Sequence, residues 1–177
     1  MDPKVWIGCL ACYNDGALVG EWFDALGAGE IDLAQVHAGS PRRLHTSCEE
    51  LWVMDHEGFG GALKGECAPG DADRLAEVLA DVEDFECDPF AAYLSYQGSA
   101  EVDESTVSDF RECYEGVFDS PADWAGEYVE STGMLHGLPD EVTSYFDMEA
   151  FGRDAFIGGD LYSVDAPGLS IYVFRSL

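Results

Sequence analysis

Residues 5–25 read VWIGCLACYNDGALVGEWFDA, and this stretch predicts how the chain begins to fold. Val5 to Cys12 is an apolar run of strand length, and Asn14-Asp15-Gly16 is a typical turn sequence. The residues from Glu21 to Asp24 then continue with two aromatic side chains. We therefore expect two antiparallel strands joined by this turn, at the start of a small sheet.

Cys9 and Cys12 have the C-x-x-C spacing of zinc sites and of redox pairs. His45 and Cys48 follow with the same spacing and would complete a Cys3His set. On a strand with a side-chain period of two, however, Cys9 and Cys12 point to opposite faces. One ion would not bind both unless the strand broke at Leu10, so we predict neither a metal site nor a thiol redox site.

The net charge is the most unusual property of the chain. Its 177 residues include 36 Asp and Glu against 8 Lys and Arg, a formal net charge of −28, although 47% of the residues are apolar, enough for a folded core. This charge argues against binding to nucleic acids or to anionic membranes, and Arg42-Arg43 is the one adjacent basic pair. No signal peptide and no apolar run of about 18 residues is visible, so we expect a cytoplasmic protein with reduced cysteines.

The acids are unevenly distributed along the chain. Residues 1–65 carry 10 acids and 4 bases, residues 66–160 carry 25 and 3, and residues 161–177 carry 1 and 1. A coat of acids adapted to high salt would also cover the first 65 residues. The concentration of charge after residue 65 therefore favours a role in binding a partner.

The pattern of strands and helices predicts an α+β protein with three domains. Residues 1–64 would form a small antiparallel sheet, with further strand residues at Leu51–Met54 and a short helix over Ile31–Val36. Residues 65–103 would form an acidic helical domain. Residues 104–177 would form helices followed by a C-terminal β-hairpin.

Capping and turn residues predict where the later elements begin and end. One helix starts at Pro69, and a second is capped by Asp88 and closed by Gly98. A third predicted helix spans about 104–115. Ser120 would cap a fourth helix that has Pro121 in its first turn. Asp147 would cap another helix, which ends at Gly158-Gly159. Ala166-Pro167-Gly168 would form the turn of the C-terminal hairpin.

Acidic and apolar residues fall on opposite faces of the predicted helices, at about 100° per residue. Such faces normally carry both signs of charge, but lysines are missing here, and Glu83, Asp84 and Glu86 would crowd a helix C-terminus where anions are disfavoured. The predicted inward residues are Leu75, Val78, Leu79, Val82, Val107, Phe110, Tyr114, Trp124, Ala125, Tyr128 and Val129. The predicted outward acids are Asp73, Glu77, Asp81, Asp84, Asp109, Glu112, Asp123, Glu127 and Glu130.

The spacing of these acids suggests what they resemble. Carboxylates four residues apart on a helix lie ~6 Å apart along its axis. Duplex DNA carries one negative charge per ~1.7 Å, so 36 carboxylates match the phosphates of roughly 18 base pairs. An acidic body of this kind would compete for the DNA groove of another protein.

Motifs for catalysis or cofactor binding are missing from the sequence. The chain has no P-loop, no G-x-S-x-G and no H-E-x-x-H, and Asp71-Ala72-Asp73-Arg74 departs from a calcium-binding EF-hand loop. The four histidines show no pairing with a nucleophile. We therefore predict no cofactor, no metal and no enzyme activity.

Three stretches together resemble the ArdA family of antirestriction proteins. They are the opening residues 5–25, the segment YQGSAEVDESTVSDFRECYEGVFDSPADWAGEYVES at 96–131, and LPDEVTSYFDMEAFGRDAF at 138–156 with the closing VFR at 173–175. The third resembles the antirestriction motif of the family. By position, that motif would comprise Leu138, Pro139, Tyr145, Asp147, Glu149, Ala150, Arg153 and Asp154.

The resemblance implies an elongated, three-domain, non-catalytic DNA mimic in the cytoplasm. It implies a homodimer joined through the C-terminal domains. It also implies that the dimer occupies the DNA groove of a type I restriction–modification enzyme and so protects incoming mobile DNA. The nine outward acids would then stand in for phosphates.

The sequence departs from the family pattern at His136-Gly137, where the family tends to be acidic, and at Gly152, which replaces a frequent alanine. We expect Tyr145 and Phe146 to lie in the core and Arg153 to form an internal ion pair. Two alternatives stay open: a globular protein adapted to high salt, and a DNA mimic directed at another DNA-binding protein such as a nucleoid or repressor protein.

Overall fold

The computed structural model describes residues 2–97, 102–103 and 105–176. The chain is α+β, as predicted, with a three-stranded antiparallel sheet in each of two compact units. The first unit extends to Ser108 and the second begins at Asp109. These units are defined by internal packing, and the predicted three-part division at residues 64 and 103 stays a prediction.

The sheet of the first unit has the strand order β2-β1-β3. Its strands are β1 (Lys4–Cys9), β2 (Gly20–Asp24) and β3 (Leu51–Glu57), which confirms the three predicted strand regions. The central strand β1 pairs antiparallel with both neighbours, and its alternate residues Val5, Ile7 and Cys9 are fully buried. The core of this unit is therefore built on β1.

The end of β1 differs from the prediction. The strand stops at Cys9, and residues Leu10–Asn14 form a short helix, α1, so the predicted strand up to Cys12 is wrong. The pairing with β3 ends where Cys9 faces Leu51, and the next residue donates its backbone N–H to the carbonyl of Glu50. A short apolar run does not by itself distinguish a strand from a buried helical turn.

Helices complete the first unit. The cap of α2 (Leu33–Ala38) is Asp32, which accepts a hydrogen bond from the backbone N–H of Gln35. Helix α3 (Pro69–Ala80) starts at Pro69, as predicted, and α4 spans Cys87–Gln97. The predicted inward residues Leu75, Val78, Leu79 and Val82 are all buried.

The acids between α3 and α4 lie at a helix start rather than at a helix end. Helix α3 ends at Ala80, and Glu83 caps the 3-10 helix Asp84–Glu86, which leads directly into α4. The predicted crowding of Glu83, Asp84 and Glu86 at a helix C-terminus is therefore wrong. These acids lie where helical structure starts, and the helix dipole favours anions at a helix start. The predicted cap Asp88 instead lies inside the first turn of α4, and the predicted helix end at Gly98 lies outside the described residues.

The second unit contains the sheet β4-β6-β5. Helix α5 (Thr106–Cys113), in which the second unit begins, ends earlier than predicted, because Tyr114 opens strand β4 (Tyr114–Phe118) and pairs with Phe174. The predicted hairpin is confirmed as β5 (Leu161–Asp165) and β6 (Ile171–Arg175). Strand β4 was missed because its partner in the sheet is distant in sequence.

Three helices follow β4 along the chain: α6 (Pro121–Thr132), α7 (Asp140–Thr143) and α8 (Met148–Ile157). The predicted cap Ser120 accepts a hydrogen bond from the backbone N–H of Asp123, and the predicted end of α8 at Gly158 is confirmed. The core of this unit contains Trp124, Ala125, Leu161 and Val173.

Helix α8 packs closely on α6 at a glycine. The rings of Trp124 and Phe151 stack with centroids 6.2 Å apart. A Cβ atom added at Gly152 would lie 2.3 Å from the backbone carbonyl oxygen of Pro121. The structure therefore explains why glycine stands at a position where the family pattern has alanine.

Replacing Gly152 by alanine should destabilise the protein, because backbone atoms cannot move aside as a flexible side chain can. We expect Gly152→Ala to lower the free energy of unfolding by about 1–3 kcal/mol, measured by urea unfolding followed by circular dichroism. Gly126→Ala in α6 is the matched control: its new Cβ meets no atom within 4 Å, and it should stabilise by about 0.5–1 kcal/mol. Equal effects of the two substitutions would contradict the packing described here.

Candidate functional site

Exposed acids line one side of α3 and the turn that follows it. Glu77, Asp81 and Asp84 are exposed, whereas Leu75 and Leu79 on the other side of the helix are buried. This segregation arises because the apolar residues recur at helical spacing and anchor that face in the core. The helix thus presents a run of negative charge to solvent.

Asp73 has a structural role that the sequence did not reveal. Its side chain is half-buried and accepts hydrogen bonds from the backbone N–H groups of Gly27 at 2.7 Å and of Gly29 at 3.0 Å. Asp73, one of the nine predicted phosphate mimics, is thus hydrogen-bonded to the loop that precedes α2. A signal for this contact is not visible in the sequence, because the partners are 44 and 46 residues away.

The second unit carries a similar acidic face on α6. Glu127 and Glu130 are exposed, and Trp124 and Val129 on the same helix are buried. Asp123 is also exposed, and it accepts a hydrogen bond from the Ser120 hydroxyl at 2.6 Å. The two acids of α5 are less alike, because Glu112 is exposed and Asp109 is half-buried.

Three arginines form ion pairs with acids outside the nine predicted mimics. Among the described residues, Arg42 pairs with Asp15 at 2.7 Å and Arg74 pairs with Asp71 at 3.5 Å. In the second unit, Arg175 pairs with Glu115. In these three pairs the acidic partner is not one of Glu77, Asp81, Glu127 and Glu130.

The residues of the antirestriction motif lie on the surface of the second unit. Tyr145 is 87% exposed, so its predicted place in the core is wrong, while Phe146 is half-buried and its ring lies 5.5 Å from that of Phe151. Asp147 caps α8, as predicted, by accepting the N–H of Ala150 at 2.9 Å. The other motif positions are the exposed Leu138, Pro139, Glu149, Arg153 and Asp154, and Arg153 forms an exposed ion pair with Asp154 at 3.1 Å.

A buried group of three cysteines and one histidine lies in the first unit. The ligand atoms of Cys9, Cys12, His37 and Cys48 all lie within 4.8 Å of one another. Burial raises the pKa of the Cys12 thiol to about 12, and the neighbouring thiols add to that shift. Burial also acts to raise the pKa of Cys48, but hydrogen bonds with the His45 backbone and the neighbouring thiols outweigh it, so that pKa is lowered.

This group corrects the sequence interpretation of the C-x-x-C pair. Because β1 ends at Cys9, the Cys9 and Cys12 side chains converge instead of pointing to opposite faces. The grouped histidine is His37, where the sequence had suggested His45. The spacing of His37 from the cysteines offered no signal that sequence reasoning would recognise.

Comparison with known proteins identifies one family. The family model described as "Antirestriction protein (ArdA)" matches residues 5–167, which is most of the chain. A search of curated proteins found no match. Within the described part of the chain, no helix is long and apolar enough to cross a membrane.

The contacts of Asp73 predict different effects for two neighbouring acids. Asp73→Asn should lower the free energy of unfolding by about 1–2 kcal/mol, because one of the two backbone N–H groups would face an amide that donates rather than accepts. Glu77→Gln, its control on the exposed part of the same helix, should change stability by less than about 0.5 kcal/mol. Urea unfolding of both variants tests this, and an Asp73→Asn variant as stable as Glu77→Gln would contradict the structural role.

Proposed function

This chain belongs to the ArdA family of antirestriction proteins, and we propose that it acts as a stoichiometric mimic of DNA. Family membership implies an antirestriction function and binding to type I restriction–modification enzymes. In our proposal the acidic helix faces occupy the DNA-binding groove of such an enzyme, in the cytoplasm. Incoming mobile DNA is then protected because the groove is already filled.

The observation that carries this proposal is the exposed negative charge on two amphipathic helices. Glu77 on α3 and Glu127 and Glu130 on α6 project from faces whose opposite sides are buried, and Asp81 is exposed directly after α3. A helix holds such carboxylates ~6 Å apart per turn, about twice the 3.4 Å axial rise per phosphate on one DNA strand. A DNA-binding groove of a protein contacts phosphates at fixed spacing, and these contacts do not depend on the bases.

We also propose that the second unit is where two copies of the chain meet. This unit exposes large apolar side chains within and beside the antirestriction motif, which include Leu138 at 46%, Val142 at 51% and Tyr145 at 87% exposure. Ile157, at the end of α8, is 76% exposed. Apolar groups exposed on a protein with this much negative charge are expected to be covered by another protein surface.

An adaptation to high salt explains the structure less well. It accounts for acidic surfaces, but it does not account for 25 of the 36 acids lying in residues 66–160. A different DNA-binding protein as target is the remaining alternative, and it shares the same charge chemistry. Competition experiments with defined partners distinguish these possibilities.

The direct test is a titration of the protein into a complex of a type I restriction–modification enzyme with labelled DNA. Stoichiometric displacement of the DNA at low salt, where electrostatic binding is strongest, is the expected result. A repressor or nucleoid protein bound to DNA serves as the control and should lose its DNA only at much higher concentrations. Displacement from the control alone would assign the mimic to another target.

Neutralising a whole acidic face should weaken inhibition far more than any single change. We expect Glu77→Gln alone to weaken displacement by less than about fivefold, since an exposed charge contact contributes about 0.2–1 kcal/mol. The combined variant Glu77→Gln, Asp81→Asn, Asp84→Asn should weaken it by about tenfold or more.

The matched control removes the same number of charges from exposed acids of the first unit, as Glu49→Gln, Glu50→Gln, Glu57→Gln. This variant should displace DNA nearly as well as the native chain, because the three substituted acids precede residues 66–160, where most of the acids lie. Abolition of displacement by Glu77→Gln alone, or equal losses in the two triple variants, would contradict binding through the α3 face.

A further inference from the structure

We propose that Cys9, Cys12, His37 and Cys48 bind one zinc ion in a structural site of the first unit. The proposed antirestriction function makes no use of this group. The two residues of the C-x-x-C pair are fully buried, and His37 and Cys48 are each 7% exposed. All four ligand atoms lie within 4.8 Å of one another.

The backbone at the end of β1 brings the first two sulfur atoms together. Cys9 is the residue that precedes α1, with φ −77° and ψ 114°, and Cys12 is the third residue of that helix. A residue in this position lies beside the first turn of the helix, and the sulfur atoms of Cys9 and Cys12 lie within 4.8 Å of each other. A C-x-x-C pair at this junction therefore presents both thiols to one point, which a continuous strand would prevent.

The third cysteine is delivered by the segment before β3. Since Cys9 pairs with Leu51, Cys48 lies three residues from that contact, in a turn where its N–H donates to the carbonyl of His45. Its sulfur lies 3.9 Å from the sulfur of Cys12. Zn–S bonds of about 2.3 Å in a tetrahedron place sulfur atoms ~3.8 Å apart, so this distance fits two ligands of one ion.

The histidine provides an independent indication of a ligand. Nδ1 of His37 lies 3.1 Å from the carbonyl oxygen of Arg42, which can only accept, so the proton of the neutral ring resides on Nδ1. Nε2 is then a lone-pair donor, and it is buried without a hydrogen-bond partner among the described residues. An imidazole held by a backbone carbonyl through one nitrogen, with the other directed at thiols, is the usual arrangement of a zinc-bound histidine.

His45 is the competing candidate, because its Nε2 lies 3.8 Å from the sulfur of Cys12. It lies outside the group of four whose ligand atoms are mutually close, and it is only partly buried. We therefore assign His37 as the ligand and place His45 beside the site.

The donor set selects the metal. Three thiols and one imidazole suit zinc and not Ca²⁺ or Mg²⁺, which take oxygen ligands. Four protein ligands close the coordination shell, so the site would hold the fold together rather than catalyse a reaction. Each thiol that binds the ion releases its proton to solvent, and the bound ion joins the β1–α1 junction, α2 and the segment before β3.

Cobalt is a suitable probe, because its absorption spectrum distinguishes binding at these thiols from binding at surface carboxylates. The metal-free, reduced full chain is titrated with Co²⁺ alone. We expect a thiolate-to-cobalt charge-transfer band and intense tetrahedral d–d bands that saturate at about one cobalt per chain and disappear when Zn²⁺ is added. Cobalt bound to carboxylates gives no thiolate charge-transfer band.

Variants identify the ligands. Cys12→Ser and His37→Ala should each weaken cobalt binding by about tenfold or more. Cys87→Ser and His45→Ala are the matched controls and should bind cobalt as the native chain does. Cys87 is buried to a similar degree, at 8% exposure, and belongs to the same unit but not to the group of four.

The native chain decides the outcome even where a variant fails to fold. Absence of a charge-transfer band in the native titration would overturn the proposal, as would a Cys12–Cys48 disulfide in the chain purified without added reductant. Loss of the band in His45→Ala, with retention in His37→Ala, would overturn the ligand assignment. The titration uses no restriction enzyme, so either result is independent of the proposed antirestriction function.

Discussion

Mutual repulsion among carboxylates is the constraint on which the rest of this structure depends. With 36 acids and 8 bases, the chain cannot balance its charge by local ion pairs, and most of its acids must stay in water. The amphipathic pattern of α3 and α6 achieves this by burying an apolar face behind every acidic one. The same separation leaves ordered negative charge on the outside, which is the property that the proposed mimicry of DNA uses.

A scaffold under such repulsion needs contacts that hold its elements together without pairs of opposite charges. In the second unit these are the stacked aromatic rings and the close approach of α8 to the backbone at Pro121. In the first unit, the side chain of Asp73 ties the loop before α2 to α3. The proposed zinc site would link the β1–α1 junction, α2 and the segment before β3 through one ion.

Local signals in the sequence predicted much of the fold. Pro69, Ser120 and Asp147 marked helix starts that the structure confirms, and Ala166-Pro167-Gly168 marked the hairpin turn. Features that depend on distant partners were not predictable in this way. The end of β1, the strand β4 and the grouping of His37 with three cysteines all follow from pairing or packing between residues far apart in sequence. The exposed acids Glu77, Glu127 and Glu130 were predictable from the helical period, whereas the engagement of Asp73 with a distant loop was not.

The salt dependence of binding to a type I restriction–modification enzyme tests the central claim most directly. Affinity would be measured for the native chain over a series of salt concentrations, with circular dichroism at each one to confirm the fold. Mimicry of DNA predicts a folded protein at low salt, tightest binding there, and a log–log slope steeper than about −3, as expected when several phosphate-like charges are neutralised. A salt-independent affinity, or loss of the fold at low salt, would contradict it.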